Sequence, residues 1–357
     1  MALRTPLYDA HRAAGGKLVE FAGWSLPIHY GSQMEEHHAV RRKAGMFDVS
    51  HMTVVDIEGP GARDYLSHLL ANDVDRLKAE GQALYGCLLD ERGGVIDDLI
   101  TYFIGDGFYR TIVNAATREA DLAWMTARAE GFDVRISERE DLAMIAIQGP
   151  EARDRVIEVL KAPAAADLKP FRAMSNGDVF IARTGYTGED GFEVLLPASS
   201  AEAFWAALVQ AGVQPCGLGA RDSLRLEAGL NLYGQDMDTS TTPLESNLAW
   251  TVAFDPSERE FIGRAALQAQ REAGVERQLV GLLLGRGGIP RSGTPVNTSA
   301  GEGIVTSGCF GPTMECPIAL ARLPAGEFDT VQVALRGRML EARVVKPPFV
   351  RGGKIRV

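Results

Sequence analysis

The chain is poor in cysteine, histidine and positive charge and has no long apolar run, and each shortage removes a class of function. Four cysteines (Cys87, Cys216, Cys309, Cys316) in 357 residues are too few and too scattered for a disulfide framework, so a reducing cytoplasm is the expected setting. No apolar stretch reaches bilayer-crossing length, and Met1-Ala2-Leu3-Arg4-Thr5-Pro6 lacks the apolar core of a secretory signal. No membrane role is expected. All six histidines lie at or before His68, which confines any His-dependent chemistry to that segment. No Cys/His cluster has zinc spacing, and the neighbours Glu35-Glu36-His37-His38 do not converge on a helix, so no metal is expected. There is no Gly-x-Gly-x-x-Gly turn opening a βαβ unit, and no glycine loop running into Lys and Ser/Thr. Flavin, nicotinamide and nucleoside triphosphate therefore have no visible seat. The net charge of −10 disfavours a nucleic-acid partner.

What is present begins with a repeat. Ile57-Glu58-Gly59-Pro60-Gly61-Ala62-Arg63-Asp64 returns as Ile147-Gln148-Gly149-Pro150-Glu151-Ala152-Arg153-Asp154. Each copy ends a strand-like run, breaks it at Gly-Pro, and opens a helical pattern. A hairpin follows each helix. The first runs Ala83 to Leu89, turns at Gly93-Gly94, and returns through Val95 to Ile104; the second pairs Asp178–Arg183 with Phe192–Leu196. A Trp-bearing helix comes next in both, Ala116–Ala129 and Ser200–Ala211. Two related α+β units are expected, with their glycine-rich hairpins converging on one central pocket. Beyond about residue 280 the short β-type runs between Gly, Pro, Asn and Ser predict a small all-β domain, sandwich or barrel.

Three stretches carry candidate chemistry. Asp97 and Asp98 adjoin on a strand, so they point to opposite faces, one toward the interior or a pocket and the other toward solvent. Glu193 follows the glycine-rich Tyr186-Thr187-Gly188-Glu189-Asp190-Gly191 and offers two acceptor oxygens to a heterocycle with adjacent N–H donors. Arg221 opens a helix after Gly217-Leu218-Gly219, where a guanidinium can hold a carboxylate, while Asp222 and Arg225 are spaced to pair. Asp48, Ser50 and His51 are too close in sequence to converge as a hydrolase triad.

Taken together, Phe21-Ala22-Gly23-Trp24, Gly45-Met46-Phe47-Asp48-Val49-Ser50-His51-Met52, Gly93-Gly94-Val95-Ile96-Asp97-Asp98-Leu99, Gly185-Tyr186-Thr187-Gly188-Glu189, Ala220-Arg221-Asp222-Ser223-Leu224-Arg225-Leu226-Glu227-Ala228-Gly229 and Tyr233-Gly234 resemble the aminomethyltransferase (T-protein) family of the glycine cleavage system, over essentially the whole chain. The resemblance implies an α+β, three-domain cloverleaf around a central channel: residues 1-48 plus 138-245, residues 49-137 inserted, and a jelly-roll-like β domain over 246-357 with strands mainly after 278. It implies tetrahydrofolate in the channel as co-substrate, with no metal, flavin or nicotinamide, and lipoylated H-protein as partner. Asp97 is implied as the catalytic group near N5 and N10, and Glu193 as the holder of the pterin amino edge. Tyr85, Asn114, Tyr186 and Met52 line the pocket, Arg221 lies near the ligand, and Arg351 faces the glutamyl tail. In the implied reaction folate N5 attacks the methylene that H-protein carries as an aminomethyl thioether, ammonia leaves, and N10 closes the ring. A folate-dependent demethylase of a sulfonium or amine substrate, and a non-catalytic folate-binding assembly factor, stand as alternatives. Flavin-linked demethylases carry an oxidase domain with no counterpart here, and the Lys-Gly-Cys-Tyr-type signature of the iron–sulfur relative is absent.

Overall fold

Both copies of the repeat fold as strand, sharp turn and helix. Thr53–Glu58 ends at Gly59, whose φ of 134° and whose approach to the Asp133 carbonyl leave no room for a Cβ. The helix Ala62–Leu69 then buries Ala62, Tyr65, Leu66 and Leu69. Leu142–Gln148 ends in the same way at Gly149, and Ala152–Leu160 follows. The computed structural model describes residues 2–285 and 287–357.

Each repeat contributes a strand to its own sheet, antiparallel throughout save for Gln214–Pro215, which runs parallel to Gly45–Asp48. One sheet has five strands in the order Ala83–Leu89, Val95–Gly105, Phe108–Val113, Thr53–Glu58, Arg135–Glu138. The other has six: Ala173–Asn176, Val179–Ala182, Gly191–Pro197, Leu142–Gln148, Gly45–Asp48, Gln214–Pro215. Matching the two orders gives Val95–Gly105 the place of Val179–Ala182, and Phe108–Val113 the place of Gly191–Pro197. The Asp97 hairpin and the Glu193 hairpin are therefore not sisters, as expected from the sequence, but are offset by one strand. Neither Phe108–Val113 nor Ala173–Asn176 is among the expected strands. The latter is an edge strand with Ser175 exposed, too short and polar to show a pattern.

The outer face of each sheet is covered by its own helices, Ala152–Leu160 and Ala201–Gln210 on one, Ala62–Leu69 and Arg118–Ala127 on the other. The inner faces meet. Phe47, Val54, Tyr102, Ile112, Met144, Phe180 and Leu195 form one cluster between them, with the Tyr102 ring edge-on to Phe180 at 5.2 Å. A short bridge, Gln82 to Arg172, joins the sheets at their edges.

The C-terminal strands close into a six-stranded antiparallel barrel, with Arg277–Leu284 paired to both Cys316–Pro324 and Arg338–Val345. It docks on the helix Leu218–Glu227, where Arg225 donates to Ser307 Oγ at 2.9 Å and Glu227 accepts from Thr313 N at 2.7 Å. The segment between the sheets and the barrel departs from the expected boundary at 246. Leu248, Val252, Phe261 and Leu267 pack on Cys87, Leu89 and Val95, so this segment is physically part of the Asp97 unit. Its apolar positions suit either partner, which is why the sequence pattern did not separate them. Among the described residues no helix is long and apolar enough to cross a membrane.

Candidate active site

Strand alternation separates the two adjacent acids, but neither reaches open solvent. Asp97 shares its face with Leu99 and Phe103, which belong to the helix-covered core of the five-stranded sheet. Its carboxyl has zero exposure and accepts from Asn114 N at 2.9 Å and Asn114 Nδ2 at 2.8 Å. Asp98 shares the opposite face with Ile100 and Tyr102, between the sheets. It accepts from Tyr85 Oη at 2.7 Å and Asn114 Nδ2 at 3.0 Å, and it keeps partial exposure. Of the two acids it is therefore Asp98, not the expected Asp97, that the bulge between Leu88 and Leu89 and the pleat aim into the intersheet space. Burial and the Asp97 carboxyl beside it push Asp98 up to about 7.

A second cluster comes from the other sheet. Glu193, on Gly191–Pro197, accepts from Thr184 Oγ1 at 2.6 Å, and that hydroxyl also meets Tyr102 Oη at 3.0 Å. Burial raises the Glu193 carboxyl, with Thr184 and Arg221 opposing it. The Arg221 guanidinium lies over the Tyr186 ring, 4.6 Å from its centroid, and Tyr186 donates to the Asn231 carbonyl. Arg225, one turn on, pairs with Asp222 at 2.9 Å and with Asp236 at 2.8 Å, whereas Arg221 makes no ion pair among the described residues. An arginine buried enough for its charge to be penalised, yet with no carboxylate in ion-pair contact, has the chemistry to take an anionic group.

The glycines around Tyr186 serve the protein rather than a ligand. A Cβ on Gly185 would collide with the Gln148 side-chain amide. The fully buried Gln148 ties the loop down, donating to Thr184 O at 3.0 Å and accepting from Thr187 Oγ1 at 2.8 Å. Glu189 turns inward to Arg41 at 2.7 Å.

Tyr85, Asn114 and Asp98 are brought together, and so are Glu193, Arg221 and Tyr186. Met52 packs at the edge of the intersheet cluster. Arg351 is exposed on the terminal hairpin, which rests on the Tyr186 loop through Gly352 N to Gly188 O at 3.0 Å; it touches neither group. Sequence reasoning missed Trp250, which is 63% exposed and stacks on Tyr85 at 5.7 Å. It lies in the apolar run Leu248-Ala249-Trp250-Thr251-Val252-Ala253-Phe254, where an aromatic reads as core. Two histidines are tied elsewhere, His11 to Asp48 and Tyr30 and His37 to Ser223 and Thr313, while burial and the Arg221 charge hold His51 down to about 4.

The geometry agrees with what the chain resembles. Residues 7–256 match the GCVT N-terminal domain and residues 277–351 the glycine cleavage T-protein C-terminal barrel domain. Proteins named aminomethyltransferase from Xanthomonas axonopodis pv. citri and Stenotrophomonas maltophilia are each 55% identical, covering 99% of this chain and 98% of their own. The crystal structure of glycine cleavage system aminomethyltransferase T from Bartonella henselae superposes with a TM-score of 0.93 at 36% identity, over 100% of both chains. These likenesses favour neither a demethylase nor an assembly factor. The chain belongs to the glycine cleavage T-protein family of aminomethyltransferases.

Proposed function

We propose that this aminomethyltransferase binds tetrahydrofolate between the two sheets and moves a methylene onto it from the lipoyl arm of H-protein. The observation that carries the reading is Asp98, a carboxyl facing the intersheet space that changes charge near neutrality. Glu193 accepts from the pterin amino edge, and Tyr186 with Arg221 supplies an aromatic face and a positive charge. Arg351 stands at the rim for the glutamyl tail, as Met52 does for the apolar wall.

Folate nitrogens are nucleophilic near neutral pH, so the protein needs no covalent nucleophile. Its task is to hold the reactants in line and to stabilise the positive charge that develops as ammonia leaves. The ionised Asp98, oriented by Tyr85 and Asn114, lies where it can do both that and take the N10 proton. The protons lost from N5 and N10 end on the departing sulfur and nitrogen. Asp97 serves behind this, holding Asn114. The three buried cysteines, Cys87, Cys216 and Cys309, and the more exposed Cys316 are all free thiols, which supports work in a reducing compartment.

The test is an ammonia-release assay with aminomethyl-loaded H-protein, beside tetrahydrofolate binding by calorimetry. Folate-dependent release is expected. Folate binding without release would favour an assembly factor, and release from a methylated sulfonium or amine instead would favour a demethylase.

A further inference from the structure

Asp97 has a partner that the reaction does not use. Asp121, on the helix Arg118–Ala127 that packs on the strand carrying Asp97, is its neighbouring carboxyl, and both have zero exposure. Both oxygens of Asp97 already accept from Asn114, whereas neither oxygen of Asp121 has a hydrogen-bond partner. The nearby cations face away, Arg118 toward Glu138 and Arg128 toward Glu91. The polar groups of the packed strands and loops whose charge or dipole bears on the pair are Asp98, Cys87, Asn114, Thr117 and Tyr233, none of them cationic.

Two neighbouring buried carboxylates, with no cation between them, cannot both ionise. One proton between them removes the repulsion and gives Asp121 its missing hydrogen bond. It also leaves Asp97 free to accept from Asn114. We infer that Asp97 and Asp121 share a single proton, and that Asp121 is a positioning residue which keeps one negative charge under Asn114, the amide that also donates to Asp98. The functional half of this inference rests on the reading of Asp98 as the pocket acid; the shared proton does not.

An asparagine imitates the protonated member of such a pair. Asp121→Asn therefore pins the charge on Asp97, beside Asp98, while Asp97→Asn sends it to Asp121, further from Asp98. The two variants should act oppositely on Asp98.

Two measurements on the full chain decide this. The first is thermal unfolding of wild type and Asp121→Asn from about pH 5 to about pH 9, without ligand. A carboxyl whose folded pKa is raised contributes stability that is full below its unfolded pKa and is lost as pH rises through the folded one. Asp121→Asn should therefore gain in Tm relative to wild type as pH rises. A Tm loss of equal size at every pH would overturn the shared proton. The second is the pH dependence of kcat/KM, with aminomethyl-loaded H-protein and tetrahydrofolate. Its midpoint should fall by about one unit in Asp97→Asn and hold or rise in Asp121→Asn. Identical midpoints in all three chains would overturn the positioning role. If wild type itself showed no turnover, the reading of Asp98 would fail, while the unfolding series would still decide the shared proton.

Discussion

Asp98 and Arg221 are opposite cases of a charge kept in a half-buried place without a full counter-charge. Asp98 sits at about 7 because burial and Asp97 both disfavour its anion. As the proposed base it would work only when ionised, so kcat/KM should rise with pH through about 7 and level off above it, in a profile measured with saturating H-protein. The stability sign runs the other way. A carboxyl raised from 3.8 to about 7 contributes stability below its unfolded value and loses it as pH rises through that window. Asp98→Asn should therefore melt higher than wild type at about pH 8 while losing activity, an exchange of stability for function. For Arg221 the missing partner is expected to be a ligand group. Arg221→Ala should weaken folate binding about 10- to 100-fold by calorimetry, with little change in Tm, since no protein carboxylate loses an ion pair.

At the scale of strands and loops, the sequence carried the Gly-Pro signatures and the barrel clearly, and the strand registry poorly. Gly59 and Gly149 are legible because only glycine tolerates their φ and the close backbone opposite. The equivalence of the hairpins was not legible, because Ala173–Asn176 is short and polar and Phe108–Val113 follows a two-residue turn inside a long apolar stretch. Which of Asp97 and Asp98 faces the intersheet space was not legible for a related reason. Alternation says that the two differ, but only the sheet's place between helices and the second sheet says which face is which. Glu193, Arg221 and Tyr186 come together because Gln148, read only as part of a repeat, ties the intervening loop. Gly185→Ala drives a methyl into that amide, so it should lower both Tm and folate affinity in parallel. An unchanged affinity would detach the Gln148 tie from the site.

The whole molecule holds its sheets and barrel in register through buried charge. Arg41 reaches Glu227 at 2.9 Å and Glu189 at 2.7 Å, and Glu227 also meets His37 at 3.2 Å and accepts from Thr313 N on the barrel side. That set of donors holds Glu227 down at about 2 in spite of burial. Arg41→Met would leave two buried carboxylates short of a cation, so a loss of about 3–5 kcal/mol is expected by denaturant unfolding. The same interlock fixes where Tyr186 and the terminal hairpin stand relative to the Asp98 sheet, so the site belongs to the assembled chain rather than to one domain. On the proposed function, the acid facing folate is Asp98 and not its neighbour. Single-turnover transfer from aminomethyl-loaded H-protein, measured in both asparagine variants at matched folate occupancy, tests this most directly. Asp98→Asn should slow the step about 10²- to 10⁴-fold, and Asp97→Asn should retain most of it above its shifted midpoint. Near-normal transfer in Asp98→Asn, with transfer abolished in a folded Asp97→Asn, would contradict it.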